Sequence, residues 1–279
     1  MRGDCIARIR TMSRMEADID DAHAALPAPP PADLATMALF LDVDGTLIDF
    51  AHHPDAVVVD AALPPLLRSL RTQLDGALAP LSGRSLQEVD ALLGLSGAAA
   101  AGTHGAELRD ANGKILAATR ISARMSALRY RAHVLLTPHS GVFIEAKPNA
   151  LALHYRNAHA AAAAVRVVAQ TLLHEAGPDY VLQPGNQVIE LKPAGVDKGS
   201  AVAALMRDAP FAGRVPWVLG DDLTDEHAFA FANAHAGVSI VVGSRRPTAA
   251  TYAMADPQAV AAWLGALVET GTINARRQT

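Results

Sequence analysis

The stretch LFLDVDGTLIDF, Leu39 to Phe50, sets Asp42 and Asp44 at the end of an apolar run and follows them with Gly45. A carboxylate at the mouth of a buried strand can serve as nucleophile, proton carrier or metal ligand, and a close pair can divide those tasks. Gly45 lets the backbone turn away sharply, so that Asp44 can point toward the same opening as Asp42. A second acidic run, GDDLTDE from Gly220 to Glu226, closes another apolar stretch. Open parallel α/β sheets bind ligands beyond the carboxyl ends of their strands, where the strand order reverses. If the two strands are neighbours, Asp42 and Asp221 converge, and two adjacent anions stay ionised together most readily around a shared cation. A few hard oxygen ligands favour magnesium that keeps several of its waters. Taken alone, GDDLTDE would equally suit the acidic first turn of a helix, and DVDG a turn with solvated aspartates.

Such convergence requires strands of a parallel sheet, and the chain supplies them. From Ala38 onward, short apolar runs at 38–42, 76–82, 98–104, 215–221 and 238–243 end in small or polar residues. Helical patterns at 60–74, 85–93, 197–209, 223–233 and 257–269 lie between or after them. That alternation predicts a doubly wound, Rossmann-like parallel sheet with helices on its faces. The middle differs, because its apolar runs come as hairpins. ELRDANGKIL carries an Asn112-Gly113 turn signal, VFIEAKPNALALHYR turns at Pro148-Asn149, and YVLQPGNQVIEL turns at Pro184-Gly185. Helical stretches near 121–136 and 158–176 separate them. The prediction is an α/β core, residues 36–107 and 191–279, with an inserted αβ cap at 108–190.

Composition narrows the function classes. Hydrophobic residues make up 51% of the 279, enough for a packed core, while aromatics at 4% leave that core to small aliphatic side chains. A net charge of −4 without a long basic run argues against a nucleic-acid partner. No apolar run approaches the roughly 18 residues of a spanning helix, so no membrane partner is expected. Cys5 is the single cysteine, which excludes an internal disulfide and fits a reducing, cytoplasmic compartment. Residues 1–35 mix charges with Pro27 and Pro29 to Pro31 and read as a mobile leader.

DVDGTL (42–47), LSGR (81–84), Lys198 within VDKGSA and GDDLTDE resemble, in that order, the four motifs of haloacid-dehalogenase-type phosphatases. More narrowly, GTHGAE (102–107), EAK (145–147), LALHYR (151–156) and VIELKP (188–193) are similar to trehalose-6-phosphate phosphatases, with Thr103 standing where asparagine is more usual. The resemblance covers about residues 38–245 and implies a magnesium-dependent phosphatase with a cap. Asp42 would attack phosphorus and form an aspartyl-phosphate, and Asp44 would protonate the departing sugar oxygen and later deprotonate water. Ser82 and Lys198 would donate to the phosphoryl oxygens, a role in which one lost donor costs roughly 3 to 4 kcal/mol. Asp42, Asp221 and the backbone carbonyl of Asp44 would hold Mg2+, with Asp222 and Asp225 orienting waters and Lys198.

Recognition of the sugar would fall to the cap and the domain junction. Glu145 and Lys147 share one face of a strand, where they can accept from and donate to hydroxyls, although a cross-strand ion pair would use the same residues. Arg84, His104, Arg156, Glu190 and Lys192 are further candidates, and His154 suits packing as well as ligand contact. The resemblance implies a small-molecule substrate and a functional link to the synthase that makes it. The same residues would also serve a phosphatase of another sugar phosphate, of sucrose or mannosylglycerate type, or a phosphosugar mutase.

Overall fold

The computed structural model describes residues 26–49, 57–117, 123–147, 150–185 and 187–277. Strand β1, Met37–Asp42, is buried along its whole length, as a strand covered by helices on both faces must be. It pairs in parallel with β2 (Leu78–Leu81) on one side and β10 (Val215–Gly220) on the other. The sheet continues through β11 (Val238–Val242) and β12 (Tyr252–Met254) at one end. At the other it runs through β3 (Ala100–Gly102), β4 (Glu107–Arg109) and β5 (Ile115–Ala117). Chain order therefore departs in opposite directions from β1, and the β1/β10 boundary is the switch point at which such sheets bind ligands.

Local sequence accounts for the covering helices. Helix α1, Leu63–Gln73, starts with prolines in its first turn and buries Leu63, Leu67 and Leu70 on one stripe. Helix α2, Leu86–Leu93, opens on a capping box between Ser85 and Glu88 and stops at Gly94 in the left-handed conformation. The cap contains helix α3 (Ala123–Leu136) and helix α4 (Ala162–Ala176). They pack on a separate antiparallel sheet of β6 (Phe143–Ala146), β7 (Leu151–His154), β9 (Val188–Pro193) and β8 (Tyr180–Gly185). Alanine-rich α4 buries Val165, Val168, Ala169, Leu172 and Ala176 at helical spacing, so it belongs to a second core. Helices α5 (Lys198–Leu205), α6 (Glu226–Ala234) and α7 (Pro257–Arg277) complete the main domain. Among the described residues no helix is long and apolar enough to cross a membrane.

Four expectations change. The hairpin at 107–117, expected in the cap, pairs antiparallel with β3 at the edge of the large sheet. Arg109 ties it there, donating to the Ala98 carbonyl and both oxygens of Asp90 on α2. At the return, β9 runs to Pro193, so cap pairing extends past residue 190. Pro184 and Gly185, expected as the turn, lie within β8, where they pair with Ile189 and Val188. Finally, residues 26–35 are packed: the Pro27 carbonyl accepts from Ala253 N–H, and Leu26, Ala32 and Leu34 lie on the core. Proline-restricted backbone loses less entropy on docking than the charged composition suggested. The rest of the expected leader, 1–25, and the Pro148-Asn149 turn lie outside the described residues.

Candidate active site

In the parallel register Leu41 faces Leu219, so the chain leaves β1 at Asp42 beside the point where β10 gives way to Asp221. Lys198, the first residue of α5, enters between the acids from the opposite side. Its ammonium donates to Asp42 Oδ1 at 2.5 Å and to Asp225 Oδ1 at 2.7 Å, with all three side chains buried. Asp225 Oδ2 accepts the backbone N–H groups of Asp221 and Asp222 at 3.0 and 3.1 Å. A Cβ on Gly220 would collide with that carboxyl group, which is why the acidic loop begins with glycine. Asp222 accepts from the Thr224 N–H and hydroxyl, capping the turn that leads into α6.

Asp42, Asp221 and Asp225 bring carboxylate oxygens within 4.8 Å of one another. Asp225 has both oxygens committed, so the group free to bind a cation is Asp42 Oδ2 with Asp221 Oδ1, each 3.4 Å from the Thr46 hydroxyl. Burial, aided by the neighbouring Asp221, lifts the Asp42 carboxyl well above its ordinary range against the pull of Lys198. Burial also pushes Asp221 up to about 7, with Asp225 and Asp222 adding to it. Asp225 likewise rises to about 7 through burial and the Asp42 charge. One lysine does not balance this many carboxylates, and an all-oxygen donor set fits a hard divalent cation. Asp44, expected to offer its backbone carbonyl, turns its carboxylate to Arg84, and Asp225, expected in an outer position, lies in the cluster through its tie to Lys198.

Asp44 is gripped by Arg84, whose Nε and Nη2 reach its two oxygens at 2.7 and 2.6 Å. That bond raises the Arg84 pKa. Arg84 was expected on the sugar; here it stands on the second aspartate of DVDG. Ser82 follows β2, is fully buried, and its hydroxyl accepts the Arg84 N–H at 3.1 Å.

His104 connects this floor to the cap. Its N–H bonds the Ser82 carbonyl, and the preceding Thr103 N–H bonds the Arg84 carbonyl. Thr103 and His104 both take left-handed backbone, φ 47° and 52°, a strain of the kind that accompanies functional positioning. The imidazole lies over Gly83, where a Cβ would stand 2.6 Å from the ring. Its Nε2 meets Glu190 Oε2 on β9 at 3.1 Å, and Lys147 Nζ meets Glu190 Oε1 at the same distance. Burial lowers the His104 pKa; Nε2 faces the Glu190 carboxylate, to which it can donate, and the buried Nδ1 has no hydrogen-bond partner among the described residues. Glu145 bonds His154 Nε2 at 2.9 Å, which lowers the Glu145 pKa. Burial lowers the Lys192 pKa.

A cavity of about 740 Å³ lies between the domains, within the range of small-molecule sites. Of the expected residues, His104, Arg156, Glu190, Asp221 and Asp222 line it, as does His154. Glu145 and Lys147 instead face a neighbouring hollow of about 640 Å³ against the start of α2. Gln183, Leu223 and Arg245 line the main cavity without having been singled out. For Arg245 a signal existed, since it follows the carboxyl end of β11, the ligand-binding edge of the sheet.

A buried lysine set among strand-end aspartates, beneath a cap inserted in a doubly wound sheet, defines a phosphatase of the haloacid-dehalogenase-like class. Residues 40–258 match the family model described as trehalose-phosphatase. The chain belongs to that family. It is 43% identical over 230 residues, 82% of this chain and 86% of the other, to a trehalose-6-phosphate phosphatase of Escherichia coli (strain K12). It is 39% identical over 242 residues, 87% of this chain and 90% of the other, to a probable trehalose-phosphate phosphatase of Sinorhizobium fredii. The fold is that of the C-terminal domain of C. albicans trehalose-6-phosphate phosphatase, with TM-score 0.74, 23% identity, and 88% and 99% of the two chains covered.

Proposed function

We propose that the protein hydrolyses trehalose 6-phosphate to trehalose and phosphate with magnesium as its cation. The observation that carries this reading is the junction of a nucleophile-bearing acid cluster with a cavity lined by both core and cap, in a chain of this family. Lys198 holds Asp42 Oδ1, while Oδ2 shares the Thr46 hydroxyl with Asp221, so one carboxylate meets both the lysine and the second strand-end acid. Attack of an Asp42 carboxylate oxygen on phosphorus forms the aspartyl-phosphate and breaks the bond to the sugar oxygen, which takes its proton from Asp44. Water, losing its proton to Asp44, then displaces phosphate from Asp42. Arg84 grips Asp44 in the form that accepts a proton; donating one to the sugar requires that grip to loosen as substrate enters.

Ser82 and the third hydrogen of the Lys198 ammonium serve as donors to the phosphoryl oxygens. Magnesium, held by Asp42, Asp221 and the Asp44 carbonyl, would supply the positive charge that lets both carboxylates stay ionised beside a phosphate. The single cysteine supports action in the cytoplasm, where a synthase would furnish the substrate. Phosphate release measured across a panel of sugar phosphates tests the proposal: preferred release from trehalose 6-phosphate supports it. Preference for another sugar ester, or an isomerised product without free phosphate, would defeat it.

A further inference from the structure

We infer that Arg245 is a specificity-determining residue, which from the core side of the cleft donates hydrogen bonds to the sugar unit remote from the phosphate. The inference rests on the substrate proposed above. Arg245 stands in the loop after β11 and lines the main cavity with Leu223 on the core and Gln183 and Gly185 on the cap hairpin. Its Nη1 is committed, donating to Glu226 Oε1 at 2.5 Å and to the Pro247 carbonyl at 3.2 Å. Glu226 Oε2 in turn accepts the Ala249 N–H at 2.6 Å, which staples this loop to the first turn of α6 at the last residue of the acidic motif. The side chain is thus held by one corner of its fork, and Nε and Nη2 enter no hydrogen bond with the described residues.

A guanidinium fixed at one nitrogen presents its remaining donors in a set plane at little entropic cost. The phosphate end of the site already has its donors in Ser82 and Lys198, which are buried and come from other elements. What remains for a cation lining the rest of the cavity is an acceptor-rich neutral group, and adjacent sugar hydroxyls match the spacing of a guanidinium edge. Leu223 is 42% exposed in the same cavity, an apolar surface suited to the C–H face of a pyranose. Because Arg245 belongs to the core, its contact forms whether or not the cap has closed. It therefore acts on substrate capture, and its loss should raise KM more than it lowers kcat.

The test compares wild type with Arg245→Gln and Arg245→Lys on trehalose 6-phosphate, glucose 6-phosphate and p-nitrophenyl phosphate. Loss of hydrogen bonds from a charged donor should lower kcat/KM for the disaccharide about 10- to 150-fold beyond any loss on the two smaller esters. Inhibition of p-nitrophenyl phosphate hydrolysis by trehalose should weaken in parallel. Lysine can keep the pair with Glu226 but lacks the second donor edge, so Arg245→Lys should show the same selective loss with its thermal midpoint retained. Equal losses on all three esters would place Arg245 at the phosphate or in the scaffold and overturn the inference. An unchanged disaccharide rate would also overturn it. Wild type that releases nothing from trehalose 6-phosphate would remove the substrate reading and this inference together, whereas wild-type release without a selective loss removes only the latter.

Discussion

Glu190→Gln should destabilise the protein by about 3 kcal/mol, because one carboxylate holds together two donors from different domains. Its side chain is 8% exposed, with Lys147 and His104 at 3.1 Å on separate oxygens. Burial alone would raise its pKa, yet Lys147 and His104 hold it far below the usual carboxylate range. Glutamine preserves the shape but has one acceptor oxygen, so its amide nitrogen must face either the Lys147 ammonium or the protonated Nε2 of His104. Lys147 then remains a nearly buried cation without its counterion. Removing one member of a buried pair costs about 3 to 5 kcal/mol, and the flanking cavities admit enough water to favour the lower end.

At roughly 2 to 4 °C per kcal/mol for a chain of this size, the thermal midpoint should fall by about 6 to 12 °C, followed by calorimetry or circular dichroism. Lys147→Met added to Glu190→Gln removes the stranded charge and should recover about 1 to 2 kcal/mol, a coupling that a double-mutant cycle reads directly. A shift below about 2 °C, with the two substitutions additive, would refute the account of Glu190 as the tie between core and cap.

Activity should vanish in chelator and return with magnesium, with calcium a poor substitute because its looser coordination misplaces Asp42; full activity in chelator would remove the cation from the reading. Asp42→Asn should abolish both turnover and any phosphoenzyme. Asp44→Asn should lose turnover yet still transfer phosphate to Asp42 from p-nitrophenyl phosphate, whose leaving group needs little protonation; label on another residue would reassign the nucleophile. Acid should weaken the fold in two stages. His104 is lowered on folding, so its contribution is complete above its ordinary value of 6.5 and declines as pH falls below it; Glu190, also lowered, adds its loss below 4.5. The difference in urea midpoint between wild type and His104→Gln, followed from pH 8 to 4, isolates the first stage from the acid cluster, whose raised carboxylates act with opposite sign. A difference that stays constant through pH 6.5 would contradict it.

Sequence periodicity carries what is repeated along an element. The buried strand ending at Asp42 and the strand before Asp221 were legible because continuous apolar runs have few other uses, and their ordered motifs placed both carboxylates at one sheet edge. The alanine-rich cap helix was equally plain from its spacing. Pairing between distant segments left weaker traces. ELRDANGKIL reads as a hairpin in any context, and only the continuation of β3 into β4, with Arg109 locked on Asp90, assigns it to the large sheet. The proline cluster at 27–31 looked too polar and broken to pack, because composition does not register that the Pro27 carbonyl meets a strand at the far end of the chain.

The site shows the same division. Residue type made Asp44 an acid and Arg84 a cation, and the chemistry expected of each follows from that alone. Their bidentate embrace stands beside Gly83, which leaves room for the His104 ring, and beside two consecutive left-handed residues, the first of which bonds the Arg84 carbonyl. One path of contacts runs from the cap to the strand ends: Lys147 to Glu190, Glu190 to His104, then through the backbone of His104 and Thr103 to Ser82 and Arg84, and so to Asp44. A sugar hydroxyl bonded to Glu190, which lines the cavity, would therefore meet a chain of contacts that ends at the Arg84–Asp44 pair.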